Sequence, residues 1–454
     1  MPSGPPRPSQ QLAHATRTPN SAHRSRGFAW RRSMKLPAGD PGSSRLTYLD
    51  GLRGWAAFVV LLCHLFPFFL LRAHGPAADG FTHLLSGRTF AGYVEYAILS
   101  IALVFYRFFT DGDTPVYVFF VLSGYVLSVG YVKTRKRELI TDQALRRYIR
   151  LTAPIFCACF IAFVFLKLGF MYNQRVAMLS GSDWIGGFYR WTPSFWGFVK
   201  FALFDVYFHF DDTRSYLFVL WTMRVELFGS FLIFCSLSLC GGLERRWAAY
   251  GIIFVATWFV DQDLIAFLMG LFIAEAYQLE DVRRFLARRG LKILAPIALI
   301  GVLVSPVVLF HFVPRNVWPS VESVVASIIV VSVMIFAPLQ KMFSMKLSGF
   351  LGRISFSLYL THPLVICSFG SWYFIALYKY LDRPLLVASA AVLVIVLSVL
   401  CARTFMVFDS WGVVQARRFS ALILRKGGDF RTEAAILGSP AGNAEQSIGV
   451  SGLK

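Results

Sequence analysis

The sequence predicts an all-α, polytopic membrane protein with about ten transmembrane helices. Hydrophobic residues make up 56% of the 454 residues and charged residues only 15%, whereas a water-soluble domain usually has about 25% charged residues. The apolar residues also form long runs, such as 58–71, 154–166 and 385–399, which reach or approach the ~20 residues that cross a bilayer as a helix. Composition and patterning together exclude an array of soluble domains.

Ten apolar segments qualify as spans, because each is bounded by polar residues, prolines or clusters of charge. They lie at roughly 51–72, 115–132, 148–169, 216–241, 248–260, 263–279, 291–312, 320–338, 350–376 and 385–407. The pair at 248–260 and 263–279 is short for a bilayer. A further apolar stretch at 93–109 could be an eleventh span, but its arginine and the acidic turn at 111–113 favour an interfacial or re-entrant helix.

The distribution of basic residues orients the ten spans. Segments on the side of the two termini carry 30 Lys and Arg residues, and the loops on the opposite side carry 9. Basic residues are retained on the cytosolic side of membranes, so both termini are predicted to be cytosolic. The net charge of +20 therefore reflects membrane topology, and we expect no nucleic acid partner.

The chain divides into three predicted regions. Residues 1–47 are rich in Pro, Ser and Arg and are expected to form a disordered basic arm. Residues 48–410 form the transmembrane domain, and residues 411–454 are expected to be a flexible cytosolic tail. The seven cysteines include no CxxC pair, so we expect neither a disulfide scaffold nor a metal site.

Ionisable side chains inside the membrane cost several kcal/mol unless they are paired or hydrated, so each is a functional candidate. Arg53 and His64 share one face of the first span, about 16 Å apart. Depth along the spans places His64, Ser123, Glu226 and His362 in one central layer. A carboxylate with two imidazoles suits general-base chemistry. A structural polar cluster that holds four helices together explains the same spacing.

Two arginines stand where the third span begins. Arg147 and Arg150 are three residues apart and project from one side of a helix. Two guanidinium groups at the mouth of a cavity suit a phosphate-bearing ligand. The alternative is that these arginines bind lipid headgroups at the membrane surface.

Five sequence blocks follow one another in a recognisable order. They lie at 48–57 with His64 after it, at 119–128, at 147–154, at 220–226 and at 352–363. In these blocks the chain resembles acyltransferase family 3, the integral-membrane O-acyltransferases, and in particular its fungal-type members. The resemblance spans about 45–410. One departure is that the Glu-x-Pro often found after the last span is replaced by Asp409 without a proline.

The resemblance implies that an acyl group, most often acetyl, moves from acyl-CoA to a hydroxyl of a carbohydrate, a lipid or a small natural product. It implies that His64 is the catalytic histidine, with Arg53 and Glu226 beside it. It implies that Arg147 and Arg150 bind the CoA phosphates, and that no metal takes part. The residues expected to line the reaction cavity are Ser123, Gly124, Trp221, Tyr359 and His362.

Other readings of the same residues remain open at this point. A proton-coupled transporter would use the buried His, Glu and Arg residues as its path, but residues 50–240 and 250–410 show no convincing self-similarity. A non-catalytic scaffold would not need Arg53, His64, Arg147 and Arg150 intact. Direct transfer and an acyl-histidine relay are equally compatible with the sequence. The expected partners are acyl-CoA, a hydroxylated acceptor and lipid of the plasma membrane or an endomembrane.

Overall fold

The computed structural model describes residues 46–69, 112–288, 290–291, 294–301 and 313–424. All regular secondary structure in these ranges is helical, so the all-α prediction is confirmed. The basic arm up to residue 45, the apolar stretch at 93–109 and the tail from residue 425 lie outside the described residues.

Fifteen α-helices have defined bounds within these ranges. In chain order they are α1 (Thr47–Phe69), α2 (Asp113–Thr134), α3 (Arg137–Lys167), α4 (Asn173–Ser180), α5 (Asp183–Gly186), α6 (Phe195–Lys200), α7 (Val206–Phe208), α8 (Trp221–Cys240), α9 (Arg246–Val260), α10 (Ile265–Ala276), α11 (Glu280–Leu286), α12 (Trp318–Ile335), α13 (Ala337–Phe343), α14 (Lys346–Val365 with its continuation to Leu377) and α15 (Arg383–Leu424). The continuation of α14 consists of a π-helical turn, Ile366–Gly370, and the segment Ser371–Leu377.

Seven helices in the described part of the chain are long and apolar enough to cross a membrane, namely α1, α2, α3, α8, α12, α14 and α15. They correspond to seven of the ten predicted spans. The predicted spans at 248–260 and 263–279 are the helices α9 and α10, which have 15 and 12 residues. Both are shorter than the ~20 residues that a bilayer requires. The predicted span at 291–312 lies mostly outside the described residues, so the count of ten stays a prediction, as does the orientation of the termini.

Two helices are longer than predicted. Helix α3 begins at Arg137, eleven residues before the expected start at 148, and α15 continues to Leu424, so residues 411–424 are helical and not part of a flexible tail. Hydropathy detects only the apolar part of a helix. The polar ends of α3 and α15 pack against each other, and the Ser420 hydroxyl donates a hydrogen bond to Asp142 at 2.6 Å.

Glycines allow the closest helix contacts around the centre of the protein. A Cβ on Gly54 of α1 would lie 2.3 Å from the backbone nitrogen of Gly352 in α14. A Cβ on Gly124 of α2 would lie 2.2 Å from the carbonyl oxygen of Phe267 in α10. Small residues let membrane helices approach at this distance, so these glycines set the spacing of the helices that carry the polar residues.

A buried carboxylate fixes the turn between α2 and α3. Glu275 of α10 is 1% exposed and accepts two hydrogen bonds of 2.9 Å from the guanidinium group of Arg135. These bonds raise the pKa of Arg135 above its usual value. Arg246 of α9 also approaches Glu275, at 3.4 Å. The carboxylate therefore joins the α2–α3 turn, α9 and α10.

Candidate active site

A cavity of about 200 Å³ lies among helices α1, α2, α3, α8, α14 and α15. Apolar side chains form much of its wall, as is usual for pockets that bind small molecules. Seven charged residues also line it, namely Asp50, Arg53, Arg147, Arg150, Glu226, Arg353 and Asp409. Four arginines against three carboxylates make the lining positive by one charge.

The central polar group of this cavity is Glu226 on α8. Its Oε1 accepts a hydrogen bond from the Ser123 hydroxyl of α2 at 2.8 Å and forms an ion pair with Arg147 of α3. The Arg147 Nε group donates to Ser230 Oγ at 2.7 Å. Both charged side chains are largely buried, at 8% and 14% exposure. The network therefore links three helices and neutralises the buried arginine.

Arg150 differs from Arg147, although the two stand three residues apart on α3. Arg150 is exposed at the cavity wall, and within the described residues it has neither a hydrogen bond nor an ion pair within 4 Å. Arg353 of α14 shares these properties. The cavity thus presents two guanidinium groups that are available to an anionic ligand. Arg353 was not predicted to be a site residue, because a single charged residue near the end of a helix has no distinguishing pattern in the sequence.

Two further acids belong to the cavity. Asp50 forms an ion pair of 3.1 Å with Arg53, one turn further along α1. Asp409 of α15 also lines the cavity and lies near the charges of Arg53 and Arg150. Asp409 stands at the place of the Glu-x-Pro motif, so the sequence departure did not remove an acid from the site.

The two histidines predicted for the site contact each other. His64 Nδ1 of α1 lies 3.1 Å from His362 Nε2 of α14, and the two rings are nearly parallel, 5.2 Å apart. Trp184 stacks on His64 at 5.6 Å with an interplanar angle of 8°, and Phe218 meets its edge at 5.0 Å. Neither histidine lines the cavity. The imidazole pair thus lies in an aromatic environment beside the charged cavity.

Tyr359 of α14 touches both parts of the site. It lines the cavity, and its ring lies 6.1 Å from that of His362. Its hydroxyl donates to the carbonyl oxygen of Val219 at 2.8 Å and lies 2.7 Å from Thr222 Oγ1. These bonds hold the tyrosine ring at the cavity wall, next to His362.

The predicted site residues therefore fall into separate places. The residues that line the cavity are Arg53, Ser123, Arg147, Arg150, Glu226 and Tyr359, whereas His64 and His362 do not line it. Gly124 instead faces Phe267 at the contact between α2 and α10, and Trp221 packs, partly buried, against the hydrophobic core. Neither Gly124 nor Trp221 lines the cavity.

The described residues include no group of three His, Cys, Asp or Glu side chains placed to hold a metal ion. Guanidinium groups such as those in the cavity bind anions, and imidazoles such as those of the histidine pair can move protons.

Comparison with known proteins identifies a family. A family model described as an acyltransferase domain, that of acyltransferase family 3, matches residues 46–403. No curated protein and no solved structure matches the chain significantly. The matched range begins just before α1 and ends within α15, so it contains every residue of the site except Asp409.

Proposed function

The chain belongs to acyltransferase family 3 and is an O-acyltransferase, and we propose that it transfers an acyl group from acyl-CoA to a hydroxyl acceptor. The proposed acyl group is acetyl. The acceptor would be a carbohydrate, a lipid or a small natural product. The observation that carries the proposal is the cavity in which Arg150 and Arg353 have no ion-pair partner among the described residues. Tyr359 lines this cavity and contacts His362 of the His64–His362 pair. Family membership favours this function over proton-coupled transport.

The donor would bind with its phosphates at the arginines of the cavity. Arg150 and Arg353 have no ion-pair partner among the described residues, and guanidinium groups bind phosphate through paired hydrogen bonds. Arg147 uses Nε and one terminal nitrogen for Ser230 and Glu226, which leaves its other terminal nitrogen for a phosphate. With the predicted topology, acyl-CoA would enter this cavity from the cytosol.

The thioester would reach His64 past Tyr359, which must move for the acyl group to pass. His64 would take the proton of the acceptor hydroxyl while the oxygen attacks the thioester carbonyl. The C–S bond then breaks, and the CoA sulfur leaves and takes up a proton. General-base action of this kind contributes about 10²–10⁴ in rate. An acyl-histidine intermediate is the alternative route through the same residue.

Purified protein in lipid nanodiscs provides the test. Acetyl-CoA is supplied with a panel of sugar, sterol and aromatic alcohols, and both CoA release and acetylated product are measured. We expect product formation that falls at least about 100-fold in His64→Ala. His209→Ala is the matched control, because His209 is exposed and lies outside the site. Full turnover by His64→Ala would reject His64 as the base.

Labelled acetyl-CoA separates the two routes. Label that stays on the protein in the absence of acceptor, is released by acid as expected for an acyl-imidazole, and is lost in His64→Ala would support the acyl-histidine intermediate. Label that appears only in the product would support direct transfer.

A further inference from the structure

The hydrogen bonds of His362 determine which nitrogen of its ring carries a proton. His362 Nδ1 lies 2.9 Å from the carbonyl oxygen of Leu358, one turn earlier in α14. A carbonyl oxygen only accepts hydrogen bonds, so His362 Nδ1 must be the donor. In a neutral imidazole the other nitrogen then has a free lone pair. His362 Nε2 therefore accepts a hydrogen bond.

This arrangement in turn sets the protons of His64. Its Nδ1 lies 3.1 Å from His362 Nε2, and an accepting nitrogen requires a donor opposite it. His64 Nδ1 therefore carries the proton, and His64 Nε2 is left unprotonated. Within the described part of the chain Nε2 has no hydrogen-bond partner. The carbonyl oxygen of Val60, one turn earlier in α1, also lies near the His64 ring.

If His64 Nδ1 carried no proton, His362 Nε2 would have to donate to it. His362 would then carry a proton on both ring nitrogens and a positive charge, because its Nδ1 also donates to Leu358. His362 is 0% exposed, and the described residues place no carboxylate within 4 Å of either imidazole ring. A buried imidazolium without a counter-ion is costly. The neutral pair, with the proton of each ring on Nδ1, is the arrangement that these contacts support.

Aromatic packing keeps the His64 ring in this orientation. Trp184 covers one face, with an interplanar angle of only 8°, and Phe218 packs at the edge. Turning the ring to exchange its two nitrogens would break the hydrogen bond to His362 and disturb both contacts. His64 Nε2 therefore stays on the side away from His362.

We propose that His362 is a positioning residue that holds His64 in the tautomer with the proton on Nδ1, so that Nε2 can act as the base. This inference rests on the proposed acyl transfer. When Nε2 takes the proton of the acceptor hydroxyl, the O–H bond breaks, an N–H bond forms and the oxygen electron pair attacks the thioester carbonyl. The Nδ1–H bond to His362 becomes charge-assisted and stabilises the imidazolium. The proton then passes to the departing CoA sulfur.

The kinetic test compares two variants at one position. His362→Leu removes the acceptor for Nδ1–H, and we expect kcat to fall about 10–100-fold while KM for acetyl-CoA changes less than about twofold. His362→Gln offers an amide oxygen near the position of Nε2, and its kcat should recover most of the loss. Wild-type kcat in His362→Leu, or no recovery in His362→Gln, would overturn the proposal.

A spectroscopic test does not depend on activity. Nitrogen-15 spectra of the substrate-free protein, labelled at histidine, distinguish protonated from unprotonated ring nitrogens, and the His64 signals are assigned from a His64→Gln sample. We expect a protonated Nδ1 and an unprotonated Nε2 in the wild type, and a mixture of tautomers in His362→Leu. A proton on Nε2 in the wild type would refute the assignment. The tautomer is read without substrate, so the result stands apart from the success of the acyl-transfer assay.

Discussion

Arg147 and Glu226 form an ion pair inside the protein, which connects α3 to α8 at 8% and 14% exposure. The pair has Ser123 and Ser230 as additional hydrogen-bond partners. Removing one member of such a pair leaves the other charge buried without compensation. The sequence suggested a phosphate-bearing ligand or lipid headgroups as the partners of Arg147, so the structure adds a stabilising role to its proposed part in donor binding.

The first prediction follows from this pair. Glu226→Ala should lower the free energy of unfolding by about 3–5 kcal/mol, because it leaves Arg147 uncompensated. Unfolding is measured by titration with SDS in mixed micelles. Glu244→Ala is the control, since Glu244 is exposed. Replacing both Arg147 and Glu226 by Met should restore part of the loss. Equal stability of Glu226→Ala and the control would contradict the prediction.

The second prediction concerns donor binding. Arg150→Gln and Arg353→Gln should each weaken acetyl-CoA binding about 10–100-fold, because each loses charged hydrogen bonds to phosphate. Titration calorimetry in detergent measures the affinity, and 3′-dephospho-CoA shows which arginine contacts the 3′-phosphate. Arg403→Gln is the matched control, because Arg403 is exposed on α15 and does not line the cavity. Unchanged affinity in both cavity variants would remove the arginines from donor binding.

The third prediction concerns the contact between α1 and α14. Gly54→Ala should destabilise the protein strongly, because its Cβ would lie 2.3 Å from the backbone of Gly352. Gly251→Ala is the control, since a Cβ there has nothing within 4 Å. Alanine favours a helix by about 1 kcal/mol over glycine, so the control should be neutral or slightly stabilised. The SDS titration compares the two, and similar behaviour would contradict the close contact.

The fourth prediction concerns the hydrogen bonds of Tyr359. Tyr359→Phe removes the hydroxyl that bonds to Val219 and Thr222, and we expect a loss of about 1–3 kcal/mol from buried groups left without a partner. Tyr380→Phe should have no effect, because Tyr380 is 80% exposed. Thermal unfolding in detergent compares the variants. An unaffected Tyr359→Phe would mean that these hydrogen bonds do not hold the tyrosine in place.

The sequence was sufficient for the seven long helices, because an apolar run of bilayer length has few other uses. It was not sufficient for the ends of α3 and α15. Those turns carry the polar Asp142 and Ser420, which hydropathy cannot distinguish from a loop, and their helical state depends on packing between residues 278 positions apart.

Depth along the helices predicted one central layer of His64, Ser123, Glu226 and His362, and the structure shows two contacts among them, His64 with His362 and Ser123 with Glu226. It did not reveal that Glu226 lines the cavity while the two histidines do not, because depth contains no information about which way a side chain faces. Arg353 was overlooked for a similar reason. Its charge marks a helix end, and only the three-dimensional arrangement shows that it faces the same cavity as Arg150.

The position of Tyr359 has a consequence for the order in which the site is assembled. Its ring lines the charged cavity and lies 6.1 Å from that of His362. Its hydroxyl is held by Val219 and Thr222, and neither hydrogen bond needs a bound substrate. This part of the cavity wall is therefore in place before any donor arrives.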